Sequence, residues 1–260
     1  MKFLLLSAAA LIASTALSTA QDFSRPAAAV APSMINYAFS WTGFYVGVHG
    51  AWIRDDGDAV LTGLRGVSPA TIPPRASFSD NGFGGGGQVG YLMQFGGLVA
   101  GLEADLTLTD VGRARSSVSA PGADPSCLCT ISTDLSSEMD WFGTVKGRVG
   151  VAMPGFGGFF ENSLLYLTGG LAYAQIEHRA QMTVTPPGLS LQAGSDSVKM
   201  GFTLGGGTEI ALTPNVSIKT ETLYYNLEDE TLVLQRAGDF AAYRFDNDGW
   251  LSRVGVNVRF

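Results

Sequence analysis

Few side chains in this 260-residue chain could do chemistry, and their spacing argues against most of it. Nucleophilic catalysis needs a hydroxyl or thiol held within reach of a base. Of the two histidines, His49 is followed two residues on by Ala51 and His178 by Ala180, so neither begins a His-x-Ser arrangement. Cys127 and Cys129 stand one residue apart in a stretch rich in Pro, Gly and Ser, with no third metal ligand nearby. They read as a local disulfide or a pair of free thiols. Gly85, Gly87 and Gly90 satisfy G-x-G-x-x-G, but no helix follows to receive a phosphate, and glycines allowing close packing inside a strand explain them better. No catalytic residue, cofactor or metal is expected.

What remains is charge, and its spacing is two. Glu103 and Asp105, Lys146 and Arg148, and Lys219 and Glu221 each recur at i and i+2, and Asp140, Glu209, Arg253 and Arg259 sit in similarly alternating surroundings. Residues two apart share one face of a β-strand. The final stretch is the clearest case. Val254, Val256, Val258 and Phe260 point one way, and Arg253, Gly255, Asn257 and Arg259 the other. One face is greasy and the other polar. If the greasy face looks at lipid, every backbone N–H and C=O must be paired inside the hydrocarbon, which only a closed barrel achieves for strands.

Seven partners precede it. Strand one sets Phe44, Val46, Val48 and Trp52 against Tyr45, Gly47, His49 and Ala51. Strand two runs from about Gly82 to Phe95. Strand three sets Leu98, Ala100, Leu102, Ala104, Leu106 and Leu108 against Gly101, Glu103, Asp105, Thr107 and Thr109. Strand four is read with Met139, Trp141, Val145, Val149 and Val151 outside and Asp140, Thr144, Lys146, Arg148 and Gly150 inside. Strands five, six and seven follow the same rule, with Glu209 on strand six and Lys219 and Glu221 on strand seven. Connections alternate between short turns and long polar segments, the latter at about Arg54–Ser79, Asp110–Ser136, His178–Ser197 and before Trp250. Bacterial outer-membrane barrels have this asymmetry. The expected fold is all-β: an eight-stranded antiparallel transmembrane β-barrel, an up-and-down meander with short periplasmic turns and four long extracellular loops.

Composition agrees. The chain holds 34 glycines, only 15% charged residues and a net charge of −7, with no clustered Lys/Arg stripe, which argues against a nucleic-acid partner. Beyond the first twenty residues no apolar run reaches the roughly 18 needed for a transmembrane helix. Lys2, the apolar run Phe3 to Leu17 and the small residues Ser18 and Ala20 read as a secretory signal peptide over 1–20. Residues 21–40 read as an Ala/Pro-rich periplasmic linker and 41–260 as the barrel. Eight strands enclose a space that side chains can fill. Acids Glu103, Asp105, Asp140, Glu209 and Glu221 therefore face bases Lys146, Arg148, Lys219, Arg253 and Arg259 in one expected ion-paired interior network. On this register Val256→Arg should impair insertion and Asn257→Ser should be tolerated.

Several local words resemble a known family: WTGFYVG at 41–47, LVAGLEADL at 98–106, WFGTVKGRVG at 141–150, LLYLTGGLAYA at 164–174, LGGGTEIAL at 204–212 and the terminal VGVNVRF. Together they are similar to the small OmpA-like outer-membrane β-barrel proteins of alphaproteobacteria, the Brucella and Rhizobium major outer-membrane proteins of the porin family. IKTETLYYNL on strand seven departs from the family's usual acidic-Tyr-aromatic wording. The resemblance implies location in the Gram-negative outer membrane, contact with its lipids and lipopolysaccharide, and Phe260 as the signal read by the barrel-assembly machinery. Some relatives bind haem, so His178 at a loop base with Tyr173 or Tyr243 is a candidate iron-ligand set. The expected function is a structural one, envelope integrity and surface display. A small-solute channel is the alternative, and haem binding or adhesion through the loops comes after it.

Overall fold

A strand that crosses from lipid into water must exchange its faces, because the greasy side belongs outside in hydrocarbon and inside in water. This rule organises the whole chain. In the computed structural model, which describes residues 39–65, 74–121, 130–154, 162–186, 188–236 and 239–260, the strands are β1 (Gly43–Arg65), β2 (Arg75–Phe95), β3 (Leu98–Pro121), β4 (Thr130–Pro154), β5 (Asn162–Thr185), β6 (Leu189–Ala211), β7 (Val216–Arg236) and β8 (Asp239–Arg259). Each pairs antiparallel with the next, and β1 pairs with β8 to close the barrel. Among the described residues no helix is long and apolar enough to cross a membrane. Cys127, Cys129, the expected signal peptide and nearly all of the expected linker lie outside the described residues.

β5 shows the exchange. Low in the strand Leu165, Leu167 and Leu171 are exposed on the wall, while Tyr166, Thr168 and Ala172 are buried within. Higher up, Arg179 and Gln181 are exposed, and His178, Ala180 and Met182 are buried. The apolar exterior therefore stops partway, near Trp141 and Tyr173, whose rings meet edge to face at 5.9 Å. Such aromatics mark the interface of a membrane barrel.

The segments expected to be long loops are thus mostly strand. β5 and β6 stay paired up to Val184 and Leu189, where Gly188 turns the chain at φ 87°, a value that favours glycine. Strands of 21 to 25 residues far exceed the ~9–11 needed to cross a membrane. At ~3.3 Å per residue and a tilt of ~40°, a barrel of this length rises ~55 Å, about twice the height of its apolar band. The sequence disguises the upper part because its outward positions are polar and its residues include Asp, Gly and Pro, which are sparse in strands. At the other end the turns are tight, at Gly96 (φ 64°) and at Thr213–Pro214–Asn215.

Candidate functional site

The lumen is the feature that could carry function, and it is filled in layers. At its centre Glu103 on β3 gathers charge from three other strands. Lys146 Nζ lies 2.9 Å from its Oε1, Lys219 Nζ 2.8 Å from the same atom, and Arg253 Nη2 3.3 Å away, while Arg148 Nη1 is 3.2 Å from Oε2. Tyr45 donates its hydroxyl to Glu103 Oε2 at 2.6 Å. Asp105 accepts from Lys146 Nζ at 2.8 Å, and its Oδ1 stands 2.8 Å from Arg253 Nη1, near enough to pair but off the line of a hydrogen bond. Glu221 meets Arg253 Nη2 at 2.9 Å and Lys146 Nζ at 3.2 Å. Below them Arg148 Nη2 pairs with Glu209 Oε2 at 2.8 Å, and Arg259 Nη2 stands 3.6 Å from Glu209 Oε1. These side chains are almost wholly shut off from solvent. Charges so placed hold their form only because each meets opposite charge at contact distance.

Asp140 is not among them. It is exposed, because a β-bulge between Met139 and Trp141 puts an extra residue into β4 against β5. A bulge reverses the alternation beyond it. Met139, expected on the wall, is therefore buried in the lumen, while Phe142, Thr144, Lys146 and Arg148 keep their inward positions below. Four named acids then face five named bases. Neutral residues complete the layer: His49 bonds Gln88 Oε1 at 2.7 Å and Thr107 Oγ1 at 2.8 Å, Gln88 donates to Asn257 Oδ1 at 2.6 Å, and Asn257 donates to Glu209 Oε1 at 3.0 Å. Sequence reasoning placed His49 and Asn257 on inward faces but not in one relay spanning five strands. Nothing in local spacing shows which inward residues of non-adjacent strands meet.

Apolar layers bound the charges on both sides. Towards the turn end, Trp41, Tyr45, Leu92, Val99, Leu164 and Tyr166 form one cluster, with Arg148 stacked 3.9 Å over Tyr166 and Arg259 4.7 Å over Trp41. Above the charges, Ile53, Met139, Phe142, Ile176, Leu223 and Tyr225 form a second, in which the Phe142 and Tyr225 rings lie 5.0 Å apart. A third fills the upper barrel with Leu135, Met182, Leu232, Leu234, Tyr243 and Phe245.

His178 lies between the upper two clusters. Expected at an exposed loop base, it is only 1% exposed, and its ring lies 4.6 Å from that of Phe245. Its burial follows from β5 continuing upward with an apolar inner face. Tyr173 occupies the opposite face of β5, so it cannot join His178 on one iron, although Tyr243 shares the upper lumen. Among the described residues no group of three or more His, Cys, Asp or Glu could hold a metal ion. Phe260 ends the chain on the outer wall, 77% exposed, its N–H donating to Phe44 O at 2.9 Å.

The family model described as "Outer membrane protein beta-barrel domain" matches residues 5–260. The 31 kDa outer-membrane immunogenic protein of Brucella melitensis is 29% identical over 258 residues, covering 99% of this chain and 98% of that protein. The 22 kDa outer membrane protein of Rhizobium leguminosarum bv. viciae is 27% identical over 224 residues, covering 86% and 80%. Among solved structures, the outer membrane protein OprG of Pseudomonas aeruginosa aligns with 85% of this chain and 97% of its own, at 13% identity and a TM-score of 0.48.

Proposed function

Since the chain belongs to the outer membrane protein beta-barrel domain family and is a protein of the outer membrane, we propose that it serves as a sealed structural barrel that strengthens the envelope and carries a tall extension to the cell surface. The observation behind this reading is the filled lumen. A solute would have to part the central ion pairs and also cross the apolar layers above and below them. Moving an ion through a dry apolar layer costs several kcal/mol even after relaxation. Surface display draws support from the Brucella relative, which is named an immunogenic protein. The role is non-catalytic. Its partners on this reading are the outer-membrane lipids and lipopolysaccharide around the apolar band, and the barrel-assembly machinery meeting Phe260 during insertion.

Conductance of the refolded protein in a planar lipid bilayer tests the reading. A silent membrane is expected, and discrete conductance steps would overturn it in favour of a small-solute channel. The double variant Glu103→Ala/Arg148→Ala is expected to stay silent as well, because the apolar layers remain.

A further inference from the structure

Above the apolar band the barrel wall is not continuous. β6 pairs with β7 only from Gly201/Leu227 down to Ala211/Ser217, and β2 with β3 only from Gly84/Thr109 down to Phe95/Leu98. The cause is local. β7 bulges against β8 between Leu227 and Glu230, and β3 bulges against β4 between Leu108 and Val111, each where a ladder stops. A bulge bends its strand and ends pairing. The strands keep their other neighbours, β5 with β6 up to Val184/Leu189 and β7 with β8 up to Arg236/Asp239. The extension is therefore two sheets, β3-β4-β5-β6 and β7-β8-β1-β2, with no ladder between them among the described residues.

Burial holds the sheets together. Leu135, Ala180 and Met182 of the first pack in one cluster with Leu232, Leu234 and Phe245 of the second. At the β6/β7 seam Lys199 pairs with Glu230, which also accepts from Ser197 Oγ at 3.2 Å. His178 stands where the sheets part. It belongs to the first, and its ring rests on Phe245 of the second. Among the described residues neither ring nitrogen makes a well-formed hydrogen bond. β4 sets Ser137 in register with it, β8 faces it with Asn247, whose amide is given to Glu228 O at 3.0 Å, and Asp55 of β1 accepts from Tyr225. The charge acting on the ring is that of Lys199 on β6, itself paired with Glu230 and near Glu228 of β7. An imidazolium held there lacks water and an opposite charge, a cost that moving the sheets apart removes.

We propose that acid parts the two sheets above the membrane through His178, while the membrane-spanning barrel, whose ladders are complete, stays closed. A proton from water settles on the imidazole once the ring is wetted, and its charge opposes reclosure. The open form bares Leu232, Leu234 and Phe245, together with the unpaired edges of β6 and β7, at the cell surface. Burial and Lys199 push the closed imidazole down to about 4 against ~6.5 in water, so the ratio of open to closed should rise roughly thirty-fold from pH 7.5 to pH 5.

The test uses full-length protein in which Cys127→Ser and Cys129→Ser leave no native thiol, with Ala59→Cys placed inside the cluster on β1, reconstituted in phospholipid vesicles. Its labelling rate with dithiodipyridine, which takes up thiols in acid as well as at neutral pH, is divided by that of the same chain unfolded in urea. This ratio should rise roughly thirty-fold between pH 7.5 and pH 5. His178→Leu should abolish the rise and keep the heat-modifiable gel mobility of the folded barrel. Ala172→Cys, buried lower in the lumen between the wall residues Leu171 and Tyr173, should stay flat. With His178 in place, the rise should level off below about pH 4. A flat ratio at Ala59→Cys, an equal rise with His178→Leu or at Ala172→Cys, or a rise still climbing in stronger acid would overturn the proposal.

Discussion

Glu103 on β3 and Lys219 on β7 stand on opposite walls of the barrel, 116 residues apart in the chain, and their charged atoms meet at 2.8 Å. The contact spans the lumen, so the interior charges brace the barrel from wall to wall. Glu103 also holds Lys146, Arg148 and Arg253, whereas Lys219 reaches, among the described residues, one further carboxylate, Glu221, at 3.7 Å.

Their loss should therefore be unequal. Glu103→Gln leaves four buried cations short of a counter-charge and is expected to cost ~3–5 kcal/mol, the range for breaking a buried pair. Lys219→Met removes one of five bases facing four acids and should cost clearly less. Urea unfolding of both variants in lipid vesicles checks the order, and equal losses would contradict Glu103 as the hub.

Val256→Arg and Asn257→Ser probe adjacent positions on opposite faces of β8. Arg on the lipid face is expected to cost ~2–4 kcal/mol if it sits near the midplane. Asn257→Ser, expected from the sequence to be harmless, should instead cost ~1–3 kcal/mol, because Gln88 and Glu209 each lose a buried partner. Refolding yield into vesicles and the urea midpoint measure the two effects separately.

Gly85 and Gly86 should differ although they are neighbours. A Cβ on Gly86 would sit 2.0 Å from the backbone oxygen of Leu106 and 2.8 Å from His49 Nε2, whereas on Gly85 the nearest atom is His49 O at 3.7 Å. Gly86→Ala is expected to block refolding and Gly85→Ala to leave it unchanged, read from the fraction of heat-modifiable barrel.

Acid should loosen the upper barrel through His178. At its height the outer wall carries Glu177, Arg179 and Asp196, placing it beyond the apolar band. Burial, aided by the nearby positive charge of Lys199, pushes its imidazole down to about 4; Asn247 faces the ring, and Lys199 itself pairs with Glu230 and feels Glu228. The folded value lies below the unfolded one of ~6.5, so the unfolded state binds more protons between them, and stability falls as pH drops from ~6.5 to ~4. The loss is on the order of 3 kcal/mol. His178→Leu should remove the drop in urea midpoint between pH 7.5 and pH 5 that the parent shows, as followed by tryptophan fluorescence.

Strand number, closure and the inward positions of Glu103, Lys146, Arg148, Lys219 and Arg253 were legible because each depends on alternation within one strand. Asp140 and Met139 were misread for the same reason: strict alternation cannot show a bulge, and the bulge is settled by pairing with β5. The upper strands were hidden because their outward polarity imitates a loop. Only pairing with neighbours, around an apolar inside that no single strand displays, reveals them.

The sequence by itself determined which side chains face lipid and which face inward in the membrane, since a strand's faces alternate by covalent geometry and lipid tolerates only one of them. The tertiary structure alone decided who meets whom across the lumen. Glu103 finds Lys219, His178 finds Phe245, and Asn257 links Gln88 to Glu209. Those distances depend on barrel closure and on the stagger of eight strands, quantities that no local stretch of residues contains.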